Sequence, residues 1–198
     1  MSHLILASSS PIRRVMLQNA GIRFESSPVR IDEDAIRQSL VADQASPRDI
    51  ADALAEFKAR KAAEKWPTSL TLGSDQILAL RGEVFAKPND REDAAKHLRR
   101  LSGQTHHLYS AAVIYEDAKP VWRTVGSARL SMHTLTDSEI DVYLDQAWPE
   151  VSGCVGAYQA EALGAQLFSR IDGDWFSVLG LPLLQVLSYL RMRGMLVP

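Results

Sequence analysis

Apolar and polar positions alternate along this chain in two periods, and the period changes often. Residues 4–7 form a short apolar run that predicts a buried strand. Ser10-Pro11 then reads as a helix cap followed by proline at the first helical position, with Val15, Met16 and Leu17 inside and Gly21 as the stop. Residues 24–26 are a second strand candidate. Ser46-Pro47 repeats the cap signal and opens a helix with Ile50, Leu54 and Phe57 at helical spacing, ended by Trp66-Pro67.

Residues 70–73 predict a strand that delivers Ser74, Asp75 and Gln76 at its end. Residues 77–80, a turn at Arg81-Gly82, and residues 84–86 suggest a hairpin. Asn89 with Glu92 resembles a capping box for a helix running through Leu98 and Leu101 to Gly103. Residues 106–115 and 121–134 predict two long strands. Thr136 with Glu139 is a second capping box, before Ile140, Tyr143 and Leu144. Residues 165–171 read as a last strand, and Pro182 as the first turn of a helix ending near Gly194. Alternating strands and helices with a hairpin-rich middle imply an α/β fold: a mixed sheet flanked by helices. No repeat and no clear linker appears, so residues 1–198 are expected to form one domain with two lobes.

Composition narrows the function. Twenty-two basic and 24 acidic residues give a net charge of -2, which argues against nucleic acid or a membrane as partner. A polyanion would need a local cluster of cations. Cys154 is the only cysteine, so neither an intrachain disulfide nor a cysteine-based zinc site can form. The longest apolar stretch, 178–190, is interrupted by Gly180, Pro182, Gln185 and Ser188, too short and broken to span a bilayer. A cytoplasmic protein is expected.

Three constellations carry chemistry. Ser8-Ser9-Ser10-Pro11-Ile12-Arg13-Arg14 places hydroxyls and two guanidinium groups at a helix start, where backbone N–H groups favour anions. Alternatively, Ser10 only caps and the arginines face water. Gly73-Ser74-Asp75-Gln76 closes an apolar run, and an aspartate there can hold a cation or take a proton from water. It equally suits a turn. Lys87 before Pro88, and Lys58 on a helix, are point charges suited to phosphate or to solvent. Asp32, Glu33 and Asp34 form an acidic run that is either a metal ligand set or a solvated face. The five histidines lack ligand spacing and read as structural. There is no Walker A, GxGxxG or GxSxG motif.

Taken in order, these segments resemble the Maf family. Residues 4–14 are similar to its opening signature, Ile31-Asp32-Glu33 to its acidic motif, and Lys58-Ala59 to its helix lysine. Gly73-Ser74-Asp75-Gln76, Lys87-Pro88, Leu101-Ser102-Gly103, Gly156-Ala157-Tyr158 and residues 178–183 follow in family order. The resemblance implies two lobes around a nucleotide cleft, often in a homodimer. It further implies hydrolysis of nucleoside triphosphates to monophosphate and pyrophosphate with a divalent metal cation, magnesium or manganese. Asp75 would accept the proton. Ser8, Arg13, Arg14, Lys58 and Lys87 would hold the triphosphate, and Glu33 with Asp75 the metal.

Three positions bear on the base. Ile12 stands where many members carry arginine, and Gln76 where the thymidine- and uridine-triphosphate type has threonine. Glu161 lies near that type's glutamine motif. Gln76 and Glu161 resemble the subfamily acting on 7-methylguanosine triphosphate, whereas Ile12 differs from its tryptophan. Glu161 would pair with the guanine N1–H and amino group, and Gln76 would add a donor to O6. Ile12 would pack on the base or line the entrance. The alternatives are a thymidine/uridine-type pyrophosphatase, or a nucleotide-binding regulator of cell division without turnover.

Overall fold

A computed structural model describes residues 3–196. The chain runs β1 (Leu4–Leu6), α1 (Pro11–Asn19), β2 (Glu25–Ser26), α2 (Glu33–Ala42) and α3 (Pro47–Lys65). It continues through β3 (Leu70–Leu80), β4 (Glu83–Phe85), α4 (Arg91–Leu101), β5 (Thr105–Glu116), β6 (Lys119–Met132) and α5 (Asp137–Ala147). Short 3-10 turns then lead to β7 (Phe168–Gly173), α6 (Trp175–Val178) and α7 (Leu183–Met192).

The strands form one seven-stranded mixed sheet in the order β2-β1-β3-β5-β6-β7, with β4 also beside β3. β1 is parallel to β2 and β3, and the remaining pairs are antiparallel. The mixed α/β expectation from the sequence holds. Among the described residues, no helix is long and apolar enough to cross a membrane.

β3 organises the molecule, because its two faces and two edges each do something different. Odd residues face α3: Thr71 Oγ1 donates to Ala59 O at 3.0 Å, and Ile77 joins the core beneath α3 with Ile50 and Leu54. Even residues face the other side. Leu70 and Leu72 pack with Leu17, Val186 and Leu190, while Leu78 joins a separate core with Leu98, Leu108, Leu130 and Leu144. Burying each such leucine contributes about 1.5–3 kcal/mol. β3 therefore connects two separate apolar clusters on this face, one toward each end.

Gly73 explains how closely α3 approaches. A Cβ there would lie 2.1 Å from Ala55 O and 2.5 Å from Ala59 N, so only glycine fits. One edge of β3 pairs with β1 at residues 70–72 and with β4 at residues 78–80. Among the described residues, no strand pairs with residues 73–77 on that edge, and the cleft opens there.

Several boundaries differ from the sequence reading. Residues 70–80 are one continuous strand, so Asp75 lies mid-strand; the shorter reading stopped where Gly73-Ser74-Asp75-Gln76 interrupts the apolar run. The acidic run caps α2, a helix the pattern did not reveal because none of its residues is buried; Asp32 accepts from Ala35 N at 3.0 Å. α4 is capped by Asp90, not Asn89. The expected strand at 165–171 begins only at Phe168, because residues 163–167 form a 3-10 turn in which a Cβ on Gly164 would sit 2.5 Å from Gln159 O. The expected strand at 121–134 runs from Lys119 to Met132. α6, ahead of the final helix, went unread.

Candidate active site

The gap beside β3 opens into a cavity of about 660 Å³. Ser8, Ile12, Arg13, Glu33, Lys58, Asp75, Gln76, Lys87 and Glu161 all line it, although they come from distant parts of the chain. A second cavity of about 800 Å³ adjoins it and shares Glu33, Asp75, Gln76 and Lys87. The shared residues stand at the junction.

Four charges alternate there. Lys58 Nζ lies 2.6 Å from Asp75 Oδ1 and 2.8 Å from Glu33 Oε1, and Lys87 Nζ lies 3.5 Å from Glu33 Oε2. The Lys58 and Asp75 side chains are each only 10% exposed, whereas Lys87 is 54% exposed and reaches in from the loop after β4. Burial is the largest single influence on Glu33 and opposes its charge. The combined pull of Lys58 and Lys87 outweighs it, so the carboxyl titrates below its ordinary value. Lys58 takes Oδ1 of Asp75, and Asp75 itself lines the cavity.

The serine turn is braced from within. Ser8 Oγ accepts from Ser10 N at 3.2 Å, and the Ser10 side chain does not cap α1. Arg13 is buried: Nε donates to Gly180 O at 2.7 Å, and Nη1 to Ser74 O at 3.0 Å and Ser8 Oγ at 3.3 Å. Burial lowers its pKa, and the charges of Asp75 and Glu33 partly offset that. One guanidinium thus ties the turn, β3 and the loop before α7 into a single wall. Arg14 is not brought to the cavity. It follows Arg13 by about 100° around α1 and points to solvent, as the helical repeat requires.

The opposite face of β3 supplies Gln76. Its Nε2 donates to Ser110 Oγ at 3.0 Å, Ser177 O at 3.1 Å and Val178 O at 3.0 Å. The amide nitrogen is fully committed, so it has no donor to spare for O6 of a guanine. Gln76 instead presents Oε1, an acceptor. Glu161 is exposed at the cavity rim, and Ile12 is half-buried in the first turn of α1.

A family model described as Maf-like protein matches residues 3–193. The chain belongs to the Maf-like family. A Jannaschia sp. protein named nucleoside triphosphate pyrophosphatase 1 is 78% identical over 198 residues, covering 100% of both chains. A Roseobacter denitrificans nucleoside triphosphate pyrophosphatase is 54% identical over 191 residues, 96% of each chain. A Rhizobium meliloti protein named 7-methyl-GTP pyrophosphatase is 48% identical over 191 residues, again 96% of each chain.

The Maf-like cavity also has walls outside its charged cluster. Cys154, Val155, Tyr158 and Gln159 line it, and so do Val178 and Leu179. Cys154 is the single thiol of the sequence. It is half-buried on the cavity wall, where burial and the nearby Glu161 raise its pKa and keep it a thiol. Periodicity gives no signal for these residues: Cys154 and Val155 lie beside and in a 3-10 turn, Tyr158 and Gln159 in irregular chain, and Val178 ends the four-residue α6.

Proposed function

We propose that this Maf-like chain is a nucleoside triphosphate pyrophosphatase, cutting between the α and β phosphates to release a monophosphate and pyrophosphate. The observation that carries this is the alternating cluster of Lys58, Asp75, Glu33 and Lys87 inside a cavity of about 660 Å³, a size suited to a nucleotide. A binding protein would need the cations alone. The carboxylates held among them suit hydrolysis.

Asp75 is the proton acceptor: its Oδ2 takes the proton of a water aimed at the α phosphorus, a role worth about 10²–10⁴ in rate. Lys58 and Lys87 stand against the charge that develops on the departing pyrophosphate. Ser8 and the first turn of α1 offer donors to phosphate oxygens, and Arg13 fixes that turn while adding positive charge.

No group of three or more potential metal-ligating side chains stands together among the described residues. Glu33 and Asp75 still suit a divalent cation such as magnesium or manganese, which is commonly held by one or two carboxylates with phosphate oxygens completing its shell. Those two residues would hold it, and it would supply charge neutralisation on the triphosphate.

For the base, Gln76 Oε1 and the Glu161 carboxylate are both acceptors at the cavity. Guanine offers two donors on its pairing edge, whereas uracil and thymine offer one between two carbonyls. Methylation at N7 adds a positive charge that a carboxylate favours. The preferred substrate is therefore 7-methylguanosine triphosphate or a guanine-like relative. The test is a panel of ordinary and modified triphosphates with magnesium or manganese, assaying both phosphate products. Equimolar monophosphate and pyrophosphate, abolished by chelator, is the expected result. Orthophosphate with a diphosphate as first products would refute the reaction, and a clear preference for thymidine or uridine triphosphate would refute the base.

A further inference from the structure

We propose that His106, which does not line the cavity, is a positioning residue for nucleotide recognition and acts through Tyr158; this rests on the nucleotide reading of the cavity given above. His106 lies on β5 with no exposed surface, and its Nε2 is 2.7 Å from Tyr158 Oη. Its Nδ1 has no hydrogen-bond partner among the described residues. An apolar side chain would fill the same volume without leaving a buried polar atom unpaired, so packing does not account for an imidazole here.

What the imidazole holds does account for it. Tyr158 lines the cavity, and its ring meets Phe168 edge-on, with centroids 4.8 Å apart and planes at 76°. Around it the backbone is irregular: Gly156 has φ 78° and Ala157 φ 60°, in a 3-10 turn that packs on β3 without joining the sheet. A Cβ on Gly156 would lie 2.7 Å from Tyr158 Cε1 and 2.6 Å from Leu78 Cδ1, so the ring is pressed against the turn that carries it. Beyond its apolar packing in the core with Leu78 and Leu98, the segment is tied to the body by two side-chain bonds, Tyr143 Oη to Ala157 O at 3.2 Å and Tyr158 Oη with His106. Glu161 follows three residues later. The His106 bond therefore sets how far the Tyr158 ring enters the cavity and where Glu161 stands at its rim. Burial, with a smaller contribution from His107, pushes the His106 pKa down to about 4, so the ring stays neutral and the bond persists at neutral pH.

The test measures calorimetric binding, in chelator, of the best-bound nucleoside triphosphate of the panel and of inorganic tripolyphosphate, which has no base. Tyr158→Phe removes one oxygen, and His106→Leu removes the partner. Each is expected to weaken nucleotide binding about fivefold or more, the scale of one hydrogen bond, while tripolyphosphate binding stays within about twofold. Because both changes break the same bond, the double variant is expected to be no worse than the weaker-binding single. His106→Gln, whose amide reaches the same hydroxyl, is expected to recover most of the loss. A folded Tyr158→Phe protein with native nucleotide affinity would overturn the proposal. So would equal losses for nucleotide and tripolyphosphate, which would mean general loosening of the cavity. Failure of the hydrolysis reading appears separately, as wild-type protein that binds nucleotide without releasing pyrophosphate.

Discussion

Lys58 and Asp75 form a nearly buried ion pair, Nζ to Oδ1 at 2.6 Å, between the middle of a helix and the middle of a strand. The pair exists because Gly73, two residues before Asp75 on the same face, lets α3 lie directly on β3. Asp75 is held by this contact through one oxygen at the wall of the cavity.

Asp75→Asn keeps the shape of that side chain but removes its basicity. Turnover is expected to fall by about 10² or more, with the fold retained. Pyrophosphate release, measured beside circular dichroism and melting, checks this; a folded variant with near-native turnover would remove Asp75 from the reaction.

Lys58→Met should behave differently, because it leaves Asp75 and Glu33 facing each other without the cation between them. Losing one partner of a buried pair costs about 3–5 kcal/mol, so both stability and activity should drop. Adding Asp75→Asn to Lys58→Met should restore part of the stability and none of the activity. Denaturant unfolding of the two proteins decides the point.

Gly73→Ala tests the approach of the helix rather than the chemistry. The new methyl group meets the Ala55 carbonyl, so α3 must shift and carry Lys58 with it. We expect turnover to fall at least tenfold, since small misplacements at a reacting centre can cost about 10²-fold, although no charged group has been altered. A variant with native activity would show that α3 yields without moving Lys58.

Glu161→Gln addresses the base. An amide accepts one donor where the carboxylate accepts two, so preference for guanine-type over uridine or thymidine triphosphate should shrink by roughly five- to tenfold in kcat/KM. Uniform loss across all bases would place Glu161 with the phosphates instead.

Much of this site was legible in the sequence, and the limits of that reading are physical. Lys58, Asp75, Lys87 and the serine turn stood out as charges and hydroxyls beside strand and helix signals, and the structure gathers them at one cavity. Arg13 and Arg14 looked equivalent as text, yet helical geometry buries one and exposes the other. Gln76 looked like a donor, but its nitrogen is consumed by Ser110, Ser177 and Val178, contacts more than thirty residues distant that no local pattern encodes. α2 has only a short apolar stripe, Ile36 and Leu40, both half-buried against the core under α3, too little for the pattern to reveal a helix. Tyr158 and His106 meet across 52 positions, one in an irregular turn and one in a strand.

The interrupted edge of β3 also bears on how the protein avoids sticking to itself. An exposed strand edge is an invitation to another chain's strand. Here β1 and β4 close the edge at both ends, so only residues 73–77 are bare, a window of about 17 Å at the usual rise per residue. Arg13 already occupies the carbonyl of Ser74 inside that window. A foreign strand would meet flanking strands on either side and a guanidinium in the middle, while a small anion can enter freely. At this gap the sheet backbone stays open to a ligand without offering a template for another strand.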